Sequence, residues 1–353
     1  MNERTETTTV QSTSTGRTAS RTAHRPASEA AASRELGPAV QWRSWHLHIG
    51  SMARSAHDRV VTDVIGPAVD LFPGHPWFFI RYWQHGPHLR LRVGGLTASE
   101  TARAERLLQD RLGRATPLLE GEEPLDRDTY LAHARRLSAL EEPHRGVRPA
   151  GPRDPGVYQD TYVPETERYG GPALMPATER LFQLSSELVR AFLPRLPDSR
   201  SRSAMALRAA MSAGTALGGP ADQAMFYARG LEALRQMVGA GFRLSTEQLD
   251  RLCGSSPGAG KRPAGAPPAV DPAQHGPFAS WHTLLCDLAE RVRTEGTAEH
   301  PGEVFFSHVH MLHNRLGLTM AEELQTYARL VHLFPPPEPG TPEALAQPAP
   351  KEH

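Results

Sequence analysis

The sequence predicts an α+β fold, with an antiparallel sheet from the N-terminal half packed against a mainly helical C-terminal half. Three observations carry this. Period-2 alternation is confined to the first half of the chain, as in His88-Leu89-Arg90-Leu91-Arg92-Val93. Apolar spacings of three and four residues dominate the second half, as in Leu181, Leu184, Leu188 and Phe192. Strands thus come early and helices late, rather than alternating as a doubly wound parallel sheet requires.

Residues 1–40 are rich in Thr, Ser, Ala and Arg and nearly free of large apolar side chains. They cannot bury enough surface to offset the entropy of ordering, and a disordered tail is expected. Trp45-His46-Leu47-His48-Ile49 reads as a first strand. Val60, Val61, Val64, Ile65 and Val69 have helical spacing within 56–72, which Gly66-Pro67 is expected to interrupt.

The organising stretch is Trp77 to Val93. Aromatic and β-branched residues crowd its first half, Gly86-Pro87 breaks it, and the alternating run completes a hairpin. Leu89, Leu91 and Val93 then face one side of a sheet and His88, Arg90 and Arg92 the other. That places two guanidiniums roughly 7 Å apart. A solvated sheet face would carry the same pattern.

Helices are expected over 97–112, stopped by Gly113, and over 127–140. Val157 to Val163 reads as a strand, and Gly170-Gly171 must turn the chain. Helices follow over 176–193, 201–217, 220–239, 245–253, 278–293, 301–318 and 320–333. The last opens on Thr319 and Glu322, a capping-box spacing. The Gly/Pro/Ala-rich stretch 254–274 reads as a flexible insertion and the proline-rich 335–353 as a disordered tail. Residues 41–334 are thereby expected to form a single domain.

Formal net charge is +0, from 39 basic and 39 acidic residues, so bulk attraction to nucleic acid or anionic lipid is not expected. No apolar run approaches the ~20 residues that span a bilayer. The polar start lacks the apolar core of a secretory signal. Cys253 and Cys286 form no CxxC pair, which fits a reducing cytoplasm. Neither cysteine is read as having a nearby histidine partner in sequence, so a thiol nucleophile is not expected. No phosphate-binding glycine loop is present: Val93-Gly94-Gly95-Leu96 is short and no Gly-Lys-Ser/Thr follows it.

On a helix over 303–318, Phe305, Val309, Leu312 and Leu316 form a core stripe, and Glu303, Ser307, His310 and Asn314 gather opposite. Ser, His and Asn are poorer helix formers than Glu, Lys or Gln, so a polar stripe built from them suggests use as well as solvation. His308, His310 and His313 invite a metal reading. However, His308 points away from the other two and no carboxylate completes a set, so neither metal nor cofactor is expected.

Three separated segments, WFFIRYWQHGPHLRLRV, YVPETERYGG with LFQLSSELV, and SHVHMLHNRLG, together resemble the C-terminal elimination domain of lantibiotic dehydratases, which also occurs alone in thiopeptide biosynthesis. The resemblance spans roughly Trp42 to Leu333. It implies a lyase that removes glutamate from glutamylated Ser or Thr of a precursor peptide, leaving dehydroalanine or dehydrobutyrine. A separate glutamylating dehydratase subunit would supply its substrate, without direct nucleic-acid or membrane contact. Carried over, the catalytic positions fall on His310, Arg92, Arg90, Arg168 and Glu165, with Ser307, Asn314, Tyr169 and His88 as substrate contacts. Imidazole suits abstraction of a weakly acidic Cα proton, and guanidiniums suit a departing carboxylate. Free-standing relatives also include pyridine synthases, which join two dehydroalanines in a formal [4+2] cycloaddition and lose water and leader peptide. A third reading is a leader-binding scaffold that uses a sheet edge for strand addition. The full basic and imidazole set favours the lyase.

Overall fold

A computed structural model describes residues 40–141, 150–196, 198–254, 276–298 and 300–337. The compact unit begins at Gln41. Residues 1–39 of the expected tail, and nearly all of 254–274 and 335–353, lie outside the described residues.

The sheet comprises β1 (Trp42–His48), β2 (Trp77–Tyr82), β3 (His88–Gly94) and β4 (Gly156–Asp160), antiparallel throughout in the order β2-β3-β1-β4. In register, Trp45 opposes Leu91 and Leu47 opposes Leu89, while His46 opposes Arg90 and Ser44 opposes Arg92. One face therefore carries Trp45, Leu47, Leu89, Leu91 and Val93, all buried. The other carries the histidines and arginines, and it is covered too, so the solvated-face alternative does not hold.

The apolar face packs on α1 (Arg54–Val60), a π-helical turn (Val61–Ile65), α2 (Gly66–Val69) and α3 (Ala98–Ala115), through Val60, Val64, Ile65, Leu108 and Leu112. The expected break at Gly66-Pro67 is instead this π turn. Pro67 has no N–H for the Asp63 carbonyl, which accepts a bond from Arg111 Nη1 at 3.1 Å. Helix α3 passes Gly113 and ends at Ala115, because one interior glycine costs only about 1 kcal/mol. The expected strand over 157–163 stops at Asp160, where pairing with Ser44 ends. Tyr162 then turns onto Trp42 and Phe78, at ring separations of 5.9 and 5.6 Å.

The remaining helices are α4 (Arg127–Glu141), α5 (Met175–Phe192), α6 (Ser199–Leu217), α7 (Pro220–Phe242), α8 (Thr246–Gly254), α9 (Ala279–Glu295), α10 (Pro301–Leu316) and α11 (Met320–Leu333). Thr319 and Glu322 make the capping box of α11. Helix α10 ends two residues earlier than the pattern suggests. Gly317 is left-handed (φ 76°), its N–H bonds Asn314 O, and Leu318 N–H bonds His313 O, a Schellman closure.

Helices α5 and α10 close the outer edge of β2 with side chains. Phe79 N–H donates to Ser186 Oγ at 3.2 Å. Asn314 accepts the Arg81 N–H and donates to the Arg81 carbonyl, both at 2.9 Å, standing in for a neighbouring strand. Arg81 Nε in turn donates to Arg315 O at 3.1 Å, and Arg202 Nη1 donates to Leu316 O at 2.6 Å, covering the last carbonyls of α10. Asn314→Ala strands both Arg81 backbone groups. A loss of about 1–3 kcal/mol is expected, seen as a lower urea midpoint at unchanged m-value.

Candidate functional site

The polar face of the sheet holds two linked groups. In the first, His46, His48 and His88 stack, with neighbouring ring centroids 4.8 and 4.4 Å apart and planes 27° and 20° from parallel. All three are buried, and burial pushes each below the usual imidazole range: His46 to about 3, His48 to about 4 and His88 to about 2, so they are neutral near pH 7. Arg90 Nε donates to His88 Nε2 at 3.2 Å. A guanidinium cannot accept, so the His88 proton sits on Nδ1, 2.8 Å from Gly86 O. Arg90 also lies 3.6 Å above the Tyr82 ring. The ligand-capable atoms of the three histidines lie within 4.8 Å of one another. Both ring nitrogens of His88 are engaged, Nδ1 on Gly86 O and Nε2 on Arg90, which leaves it no lone pair for an ion. The geometry fits support of Arg90 better than chelation.

The second group surrounds Arg92, which is 8% exposed. Its guanidinium lies 4.8 Å from the Tyr162 ring and 5.2 Å from the Phe78 ring. Nε has no hydrogen-bond partner among the described residues. Burial, and then the charge of Arg90, lower its pKa to about 10, which leaves it charged at neutral pH. Arg315 is fully buried nearby. It is held by Ser186 Oγ at 3.1 Å and Met311 O at 3.0 Å, and burial lowers it to about 9. Among the described residues neither cation makes an ion pair with a carboxylate, and such buried charges are costly unless something anionic joins them.

The chain reaches these arginines through the segment after β4. Arg168 Nη1 pairs with Glu165 at 3.1 Å, with side chains 39% and 63% exposed, and Arg168 Nε approaches Ser307 Oγ at 3.4 Å. Exposed ion pairs contribute little stability, so this one is free to be rearranged by a ligand. Tyr169 is buried between Phe182 and His308, at 5.0 and 5.1 Å, and anchors the segment from below. Burial pushes its hydroxyl up to about 12. The Gly pair is required: Gly170 has φ 80°, and a Cβ there would meet Leu174 Cδ1 at 2.7 Å.

His310 follows Ser307 by one turn on α10, so the two share a side of the helix. Its Nδ1 lies 2.9 Å from Glu323 Oε2 on α11, and Glu323 Oε1 lies 3.1 Å from His313 Nδ1. Glu323 is 3% exposed. Burial alone raises a carboxyl, but the two imidazoles outweigh it and hold Glu323 down at about 2. A carboxylate on Nδ1 orients the ring and leaves Nε2 as the outer nitrogen.

Two expected substrate contacts have other occupations. His88, at 1% exposure, lies beneath Arg90 and is out of a peptide's reach. Asn314 spends its amide on the β2 edge. The cysteine reading is also corrected. His282, four residues before Cys286, brings Nε2 to 3.5 Å from the thiol across one helical turn. Burial raises that thiol, so it is not a preformed thiolate. Glu323 was missed because Glu322, the expected capping residue, drew the motif. Its pairing depends on how α11 packs against α10, which no local spacing reveals.

The family model for the lantibiotic biosynthesis dehydratase C-terminal region matches residues 42–334. The chain belongs to that family. Among solved structures, it is similar to the pyridine synthase TbtD from thiomuracin biosynthesis, with 19% identity and TM-score 0.57, covering 83% of this chain and 99% of that one. It is also similar to the tRNA-dependent lantibiotic dehydratase MibB from Microbispora sp. 107891, with 19% identity and TM-score 0.47, covering 84% of this chain and 28% of that one. TsrL shows 17% identity and TM-score 0.44, covering 84% of this chain and 94% of that one. No curated protein sequence matches. The family's fold accounts for the order of sheet and helices, and no helix among the described residues is long and apolar enough to cross a membrane.

Because Glu323 has a folded pKa below its unfolded value of about 4.3, its stabilisation is complete above that value and is lost as pH falls toward about 2. The stability gap between wild type and Glu323→Gln is therefore expected to be wide near neutrality and to close on acidification. Urea titrations across that range measure it.

Proposed function

We propose that this chain is a lyase that eliminates glutamate from glutamylated Ser or Thr of a precursor peptide. The observation that carries this reading is Arg92: a nearly buried, charged guanidinium held by aromatic rings, with no ion pair to a carboxylate and with Nε unpartnered among the described residues. Such a cation is prepared for an anion that arrives with the substrate, and a glutamyl ester brings one carboxylate and releases a second.

In this mechanism His310 Nε2 takes the Cα proton while Glu323 steadies Nδ1. The electron pair forms the Cα=Cβ bond, the Cβ–O bond breaks, and glutamate leaves as a carboxylate toward Arg92 and Arg90. Arg168 binds the glutamyl group, Glu165 orients Arg168 until the substrate displaces it, and His310 returns its proton to solvent. Tyr169 and Ser307 shape the wall beside Arg168. The reaction takes place in the cytoplasm, and a separate subunit supplies the glutamylated peptide.

The alternative is a pyridine synthase acting on two dehydroalanines, which the fold of TbtD brings to mind. That reaction expels no carboxylate and leaves Arg92 without a purpose. Incubation with a glutamylated precursor, and separately with a dehydrated azole-bearing precursor, followed by mass spectrometry separates them. Loss of glutamate supports the lyase, and macrocycle with released leader supports the synthase. Arg92→Ala is expected to slow glutamate loss by about 100-fold or more, the scale of removing one charge-stabilising donor. His310→Ala should leave glutamylated peptide uneliminated. Wild-type turnover by either variant removes that residue from the mechanism.

A further inference from the structure

The two edges of the sheet are treated differently. The β2 edge is closed by Ser186 and Asn314 side chains. Strand β4 pairs with β1 on its inner side and is the last strand on the other, with no further strand beyond it among the described residues. A terminal strand leaves its outer N–H and C=O groups without a neighbouring strand. At its C-terminal end lies a cleft of about 430 Å³ lined by Trp42, Arg43, Ser44, Gln159, Asp160 and Thr161. Just past that cleft, Val163 is 74% exposed, an apolar side chain standing in water on the segment that leads to Glu165 and Arg168.

We infer that the outer edge of β4, with the exposed Val163 beyond its end, docks an extended segment of the peptide substrate by strand addition. This rests on the peptide-modifying reading above, and it assigns a recognition site separate from the reacting groups. A strand edge recognises an extended backbone of varied sequence, which suits a site that must hold a peptide while different residues react. Val163 supplies an apolar contact at the point where the docked chain turns inward.

The geometry also sets a spacing. A chain added outside β4 lies three strand spacings from β3, about 14 Å from the row of Arg90. Roughly four extended residues cover that distance. The reacting Ser or Thr must therefore lie at least that far along the peptide from the docked segment.

The test uses the full chain and a display library of random short peptides, with enriched peptides resynthesised. Binding is expected to slow amide hydrogen exchange at alternate residues within 156–160. Single N-methylation along the peptide should abolish binding with a period of two residues, because only alternate amides face the edge. Val163→Asp should weaken binding about tenfold, about 1.4 kcal/mol, while circular dichroism stays that of wild type. Protection confined to other elements, or indifference to N-methylation, overturns the proposal. Binding is read without turnover, so failure of the lyase mechanism and failure of this docking site are separately visible.

Discussion

The hydrogen bonds between Asn314 and the Arg81 backbone tie the late helix α10 to the early strand β2, and the site depends on them. This tie fixes how the α10 residues sit against the strand next to the sheet arginines, within one continuous core. The tie is reinforced from both sides. Ser186 joins β2 to Arg315, and Arg81 covers the end of the same helix. Asn314 is a poor helix former, and its position is explained by the strand edge it closes rather than by a substrate.

Electrostatics follows from that closure. Covering the polar sheet face removes water from Arg92 and from the histidine stack, so the imidazoles stay neutral, while the guanidinium stays charged with Glu165 and Asp160 among the groups whose charge supports it. A neutral imidazole can accept from Arg90, whereas a protonated one would repel it. The stack thus acts as an uncharged mount for a cation. Glu323 plays the reverse part on the helical side, holding a negative charge in the interior because two imidazoles face it.

The β4 edge and its continuation connect recognition to chemistry along one stretch of chain. Eight residues, Thr161 to Arg168, run from the end of the edge strand past an exposed valine to the Glu165–Arg168 pair. A peptide held at the edge would present its next residues to the arginines without any moving domain.

The sequence by itself determined the class of each element and the division of the hairpin into an apolar and a basic face, because side-chain alternation is a local property of a strand. It also placed Arg90, Arg92, Arg168 and Ser307 on the segments that meet. Only the tertiary structure decided that the basic face is buried, that His88 supports Arg90 instead of meeting solvent, and that Glu323 orients His310. Those outcomes depend on which surfaces cover which, and contacts between residues far apart in the chain leave no trace in local spacing. The π turn at Pro67 and the pairing of His282 with Cys286 were legible in principle. A missing N–H frees one carbonyl, and four residues make one helical turn.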